Sequence, residues 1–329
     1  MKERKQRMGT ALVSAFEFGI LYALMALGVY LSFRILDFPD LTVDGSFVTG
    51  GALAASMIVS GVHPIYATLS AIVAGFIAGC FTGILHAKGK INPLLSGILM
   101  MIALYSINLR IMGKANVSLL NEDTFFSKVA DFWESIGLSN IIPVKWSILI
   151  VMITVTLAVK ILVDIFLKTE IGLAIRATGD NKRMIRSFSA NTDWLIILGL
   201  GLSNALVAFS GAFVAQYSGF ADVGMGVGMI VVGLASVIIG EALFGTKTLV
   251  RTTFAVIGGA IVYRIIIALA YRIKFLQLQT GDLKLITATI VIIALIAPKI
   301  VDNVKERRRK KRRHTQHLAT EKKDGEQLA

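Results

Sequence analysis

The stretch Asp193-Trp194-Leu195-Ile196-Ile197-Leu198-Gly199-Leu200-Gly201-Leu202-Ser203-Asn204-Ala205-Leu206-Val207-Ala208-Phe209-Ser210-Gly211-Ala212-Phe213-Val214-Ala215-Gln216-Tyr217 carries no charge after its first residue. It reaches the roughly 20 residues that a helix needs to cross hydrocarbon. Comparable runs recur near 10–33, 41–60, 64–86, 92–113, 146–167, 227–244, 252–272 and 284–299. Hydrocarbon offers the backbone no partner, so each run must satisfy its own N–H and C=O groups as a helix. The period-2 alternation that a membrane barrel needs is absent. The expected fold is an all-α polytopic membrane protein with about 8–10 helices, some of them broken or re-entrant.

Composition agrees. The chain has 329 residues, is 55% hydrophobic and 17% charged, and has a mean hydropathy of +0.72. Soluble domains are about 45–50% apolar and about 25% charged. This excess excludes a soluble enzyme, a disordered scaffold and a disulfide-rich module. The single cysteine, Cys80, permits no internal disulfide and lies in an apolar run.

The net charge of +13 gathers at the ends. Lys2, Arg4, Lys5 and Arg7 precede the first run, in a basic segment over 1–9. The membrane part spans 10–304, and a basic tail follows at 305–329, opening Lys305-Glu306-Arg307-Arg308-Arg309-Lys310-Lys311-Arg312-Arg313. Beside membrane helices such clusters obey the positive-inside rule and touch anionic lipid, rather than nucleic acid. The first run lacks a small-residue cleavage site and is long enough to span, so it does not read as a signal peptide.

The loops set the orientation. Residues 168–191 carry Lys168, Arg176, Lys182, Arg183 and Arg186, which places them in the cytoplasm with the C-terminus. The segment 114–145, with Glu122, Asp123, Asp131 and Glu134, is external. Nine full crossings then put the N-terminus outside, against its basic residues. Either the rule fails there, or one segment between 34 and 60 does not cross simply.

Two places break the helical pattern alike. Leu36-Asp37-Phe38-Pro39-Asp40-Leu41-Thr42-Val43-Asp44-Gly45-Ser46-Phe47 holds a proline and three carboxylates. Asp222-Val223-Gly224-Met225-Gly226-Val227-Gly228 precedes a short run ending at Gly240-Glu241. Paired broken helices in two halves point to a midplane substrate path. The path candidates are Asp40, Asp44, Asn92, Asn108, Asn204, Gln216 and Glu241, with Asn92-Pro93 opening a third interrupted segment. Charge at membrane depth faces a cavity or a partner. Asn204 also suits interhelical hydrogen bonding, and Glu17 a neighbouring helix. Gly75, Gly79 and Gly83 repeat at small-residue packing spacing.

Catalytic and metal chemistry is missing from the sequence. His63, His86, His314 and His317 are scattered. Gly240–Thr248 imitates a P-loop, but Thr246 separates the second glycine from Lys247, and no strand precedes it. The chain therefore does not bind ATP by that route, and no cofactor is expected in it.

The cytoplasmic segment 168–193 is the most specific signal. It reads as a helix over about 171–178, with Ile171, Ala174, Ile175 and Thr178 on one face. Gly179 is expected to end it in the left-handed conformation, and Asp180 to cap a second helix. Met184, Ile185 and Phe188 form that helix's apolar face. Helices this short need a protein surface, as in helix-in-groove recognition.

Here the residues carry a resemblance. Gly172, Arg176, Ala177, Gly179, Asn181 and Asn191-Thr192-Asp193 resemble the G-x-x-x-R-A-x-G-x-N coupling loop of ABC-importer permeases of the branched-chain amino acid and ribose type. Ala23-Leu24-Met25-Ala26-Leu27-Gly28 and the two broken segments resemble other parts of that family, covering about 10–300. Ser189 departs from the usual glycine, and the tail after 304 lies outside. The 36–47 wording is similar to a subgroup with amino-acid-like substrates, aromatic ones included.

The resemblance implies a bacterial inner-membrane importer subunit working by alternating access. It implies two copies of a partner ATPase that holds ATP and Mg, an extracellular lipid-anchored or periplasmic binding protein, and a second copy of this chain or a homologous permease. Gly172, Arg176, Ala177, Gly179, Asp180, Asn181, Met184, Phe188 and Asn191 would then meet the ATPase. An ion-coupled secondary transporter, or an ABC permease for a sugar or nucleoside, stays open beside an amino-acid importer.

Overall fold

A computed structural model describes residues 2–137, 143–187 and 190–270, with isolated positions at 285, 288, 289 and 292. The expected run at 284–299, the tail 305–329, Phe188 and Ser189 lie outside the described residues, apart from those isolated positions.

Helices dominate the fold. α1 (Lys2–Val29) continues into a π-helical segment, Tyr30–Ile35, and α2 (Thr42–Val59), α3 (Pro64–Ala87) and α4 (Pro93–Met112) follow. A short strand β1 (Asn116–Ser118) and α5 (Phe125–Ser135) precede α6 (Val144–Phe166). Two small helices, α7 (Glu170–Asp180) and α8 (Lys182–Ser187), lead into α9 (Thr192–Ser218). β2 (Phe220–Asp222), α10 (Met229–Phe244) and α11 (Leu249–Ala270) complete the described chain. Among the described residues, seven helices are long and apolar enough to cross a membrane: Leu12–Ile35, Thr42–Val59, Pro64–Ala87, Pro93–Met112, Trp146–Phe166, Thr192–Ser218 and Leu249–Ala270. α10 is shorter, at 16 residues. The protein is a multi-pass, all-α membrane protein. α4 is one continuous helix, so Asn92-Pro93 starts a helix and does not interrupt one.

α9 is the central post. α1 runs antiparallel to it, fixed by three hydrogen bonds spaced along both helices. Tyr217 donates its hydroxyl to Glu17 at 2.6 Å, Ser210 to the Leu21 carbonyl at 2.7 Å, and Ser203 to the Gly28 carbonyl at 2.7 Å. The interhelical role expected of Glu17 is therefore realised. α3 packs along another side of α9. A Cβ on Gly75, Gly79 or Gly83 would overlap Asn204, Leu200 or Ile197 of α9, so the glycine repeat is a packing seam.

The antiparallel pair α1–α9 places the start of α1 at the end of the bundle opposite α7 and α8. That end also carries the β1–β2 ribbon, where Val117 pairs with Ala221. α2 does not start at the membrane edge. Asp40, just before it, is fully buried beside Asn204, well inside α9. The segment between 34 and 60 therefore holds a break within the bundle, but the start of α1 still lies opposite α7 and α8, so the break does not by itself remove the charge conflict. Leu21, Met25, Val43, Phe47, Val207 and Phe213 form the core that joins α1, α2 and α9.

Candidate functional site

Two regions hold most of the sequence-predicted residues: the α7–α8 loop and the meeting point of the two broken segments. α7 starts at a Thr169 side-chain cap, whose hydroxyl accepts from Gly172 N–H at 3.2 Å. It runs through Gly179 and ends at Asp180. Gly179 is thus not a left-handed terminator. It sits inside the helix, and its missing side chain lets the end of the π-helical segment lie against it, since a Cβ there would overlap the Ile35 carbonyl. Asp180 is not the cap of the next helix either. Asn181 is extended (φ −156°) and accepts from Met184 N–H at 3.1 Å, which satisfies a free donor of α8.

The two helices bury their inner sides on their own chain. Ile175 and Ile185 join Leu36, Phe38, Leu195 and Leu200 in one cluster. Arg186 bridges to Thr192 and Asp193 at 2.9 and 3.2 Å, tying α8 to the start of α9. Asn191 caps α9, accepting from Asp193 and Trp194 N–H groups at 3.1 Å each. Ile171, Leu173, Met184 and Trp194 stay exposed, between 42% and 51%. Beside them lies a shallow, mostly apolar cleft of about 340 Å³ bounded by Ile171, Ala174, Trp194 and Leu195. Arg176 and Ala177 are half-buried on the inner flank. Water contact on this apolar strip is unfavourable, so it can accept a partner surface.

The broken segments meet each other. Asp44, in the first turn of α2, accepts from the N–H groups of Gly228 at 2.9 Å and Ile230 at 2.7 Å. A carboxylate there satisfies free donors at the start of α10 and complements its dipole. Gly226 packs so closely on the Asp44 carbonyl that a Cβ would overlap it. Against this junction lies a half-open cavity of about 420 Å³. α2 supplies Asp44, Gly45 and Val48 to its wall, α4 supplies Met101, Ile102, Tyr105, Ser106 and Asn108, and the second break supplies Val223, Gly226 and Val227. Asn108 is fully buried and donates to the Gly45 carbonyl at 3.2 Å.

The other path candidates are engaged elsewhere. Asn204 donates to Asp40 at 2.6 Å, and Asp40 also accepts from Thr42 N–H at 2.9 Å, so this pair fixes the first break to α9. Gln216 accepts from Phe125 N–H and donates to Thr68, each at 2.9 Å, which anchors α5 to the bundle. Asn92 is an exposed cap at the start of α4, accepting from Leu94 N–H at 3.0 Å. Glu241 pairs with Arg34 at 2.7 Å near the α7 end, away from the cavity.

Several chemistry-bearing residues escaped the sequence reading. Lys160 and Asp164 form a buried ion pair within α6, and Asp164 also accepts from Thr253 of α11 at 2.7 Å. Arg264 stacks over Tyr22, 4.1 Å from its ring centroid. The Lys160–Asp164 spacing of one helical turn was readable, since charges inside an apolar run seek each other. Arg264 offered no such signal. Among the described residues, no group of His, Cys, Asp and Glu could hold a metal.

A bundle of apolar helices with two breaks joined at a cavity, and a small-helix platform at one end, defines a membrane transport permease. The comparisons make this particular: residues 11–296 match the family described as branched-chain amino acid transport system / permease component, and the chain belongs to it. It is 44% identical over 288 residues to a tyrosine transport system permease protein of Clostridioides difficile, covering 88% of this chain and 91% of that one. It is 34% identical over 295 residues to an uncharacterized protein of Rickettsia prowazekii, covering 88% and 99%. A ribose import permease protein of Haemophilus influenzae is more distant, at 27% over 277 residues, covering 84% and 80%. No solved structure matches. The chain is thus a permease subunit of a transport system, and sugar permeases are its more distant relatives.

Proposed function

We propose that this chain is the membrane subunit of a bacterial inner-membrane importer for an amino acid, aromatic ones included. Family membership carries the reading, and the 44% identity to the tyrosine permease supports the substrate class. The missing P-loop lysine spacing supports a separate ATPase, which would hold ATP and Mg. Two ATPase copies dock on the exposed strip of Ile171, Leu173, Met184 and Trp194 in a pair of permease subunits. A binding protein delivers solute at the β1–β2 end.

The mechanism follows from connectivity. α6 enters the α7–α8 platform and α9 leaves it, so a push on the platform is transmitted along both helices. α9 holds the first break through Asn204–Asp40, and that break holds the second through Asp44. Tilting α9 therefore moves both breaks together and opens the cavity to one side or the other. The basic tail lies in the cytoplasm, against anionic lipid.

The test is co-purification in mild detergent after expression with neighbouring genes, followed by an ATPase assay. A complex with a P-loop ATPase, lost on Leu173→Asp with membrane insertion intact, is the expected result. A chain that purifies alone and takes up solute with an ion gradient would overturn the reading.

A further inference from the structure

We propose that the cavity at the junction of the breaks is a solute-recognition subsite of the permease itself, in which Asn108 accepts a hydrogen bond from an amino acid's ammonium group. The inference rests on that cavity being part of the solute path. The Asn108 amide is fixed in orientation. Its Nδ2 donates to the Gly45 carbonyl at 3.2 Å, and the reversed amide would set two acceptors face to face. This leaves Oδ1 with no partner, closed to water in this state at the wall of the cavity, so a donor reaches it only as the α2–α4 contact there loosens. An unsatisfied buried acceptor is costly, so a donor from a bound molecule gains more there than at a hydrated site.

The surroundings choose the kind of donor. The Asp44 carboxylate stands in the same wall and favours a cation over an anion. The rest is largely apolar, with Val48, Met101, Ile102 and Val227 facing the space. A polyhydroxylated sugar would lose partners for most of its hydroxyls against these side chains. A molecule with one cationic donor and an apolar body loses little. The volume of about 420 Å³ falls in the ordinary range for small-molecule pockets, roughly 300–1,000 Å³. The Tyr105 ring on the rim offers a flat apolar face to an aromatic side chain.

The experiment uses the full-length chain with Cys80→Ser and Val227→Cys, in lipid nanodiscs. A maleimide fluorophore labels position 227 in the presence of millimolar L-tyrosine or D-ribose. L-tyrosine should slow labelling and D-ribose should not. Asn108→Leu should raise the tyrosine concentration for half-protection about tenfold or more. An unchanged labelling rate without solute shows that the variant keeps the cavity. Protection by ribose, no protection by tyrosine, or protection that survives Asn108→Leu would overturn the inference. A second measurement separates the two readings: labelling at 227 should block tyrosine uptake in cells making the complete transporter. Blocked uptake without tyrosine protection sinks only the subsite, and unblocked uptake sinks the path itself.

Discussion

The carboxylate of Asp44 receives the backbone N–H of Ile230 at 2.7 Å, across 186 residues of sequence. Through it the start of α2 caps the start of α10, and two broken segments become one junction. The bond is charge-assisted and sits at a helix N-terminus, where a negative group is favoured. Any movement that separates α2 from α10 must break it or carry both along.

Replacing Asp44 should therefore loosen α10 without unfolding the bundle. Asp44→Ala removes the acceptor for both Gly228 and Ile230 N–H groups, at a cost of about 1–3 kcal/mol. Asp44→Asn keeps one acceptor oxygen and should fall between the two. Thiol labelling of a Val227→Cys reporter is expected to speed up in the order Asn, then Ala. Equal labelling rates in all three would remove Asp44 from the junction.

Gly179 gives a sharper test of the platform than a helix breaker does. Its φ is not left-handed, so alanine suits its backbone, yet the new methyl would overlap the Ile35 carbonyl. Gly179→Ala should push α7 off the end of the π-helical segment while leaving the helix itself intact. ATP-driven uptake is expected to drop at least about tenfold, with normal membrane insertion. Wild-type uptake would show that the contact between α7 and Ile35 is dispensable for coupling.

Much of this fold was legible because hydrocarbon simplifies the problem. Eight of the nine apolar runs coincide with helices within the described residues, since lipid leaves a backbone no other choice. Gly75, Gly79 and Gly83 were legible as a seam for the same reason: only the helical period sets their spacing. What failed was local. The need for a glycine at 179 comes from the distant Ile35 carbonyl, which no window around Gly179 contains. Asp180 and Asn181 are both good caps by type, and because α7 continues through Asp180 the cap falls on the second. The path candidates divided for a similar reason. Asp44 and Asn108 reached the cavity, while Asp40, Asn204 and Gln216 found partners whose positions only the packed bundle reveals.

The basic tail supplies a prediction from sequence alone. It begins at 305, past the family match that ends at 296. Its lysines and arginines suit an anionic lipid surface, where each contributes about 1 kcal/mol. Deleting 305–329 should leave uptake within about twofold of the full chain and reduce only its sensitivity to anionic lipid content. Abolished uptake with normal insertion would assign the tail to the transport machinery.

The ion pair on α6 should tolerate joint removal better than single removal. Lys160 is 2% exposed, and its ammonium lies 3.7 Å from the centre of the Phe254 ring. Its partner Asp164 also accepts from Thr253, which links α6 to α11. Lys160→Met would strand the carboxylate in an apolar setting, and breaking such a pair typically costs about 3–5 kcal/mol. Adding Asp164→Leu removes the stranded charge. Thr253 keeps a partner in that double variant, because its hydroxyl also donates to the Val250 carbonyl at 3.1 Å. Thermal melting in detergent should therefore show a large drop for Lys160→Met and substantial recovery for the double change. If uptake stays low in the recovered variant, the pair serves the movement of α6 against α11 rather than stability. If the double variant melts as low as the single one, the charges are stabilising in their own right, and the desolvation argument for this pair is wrong.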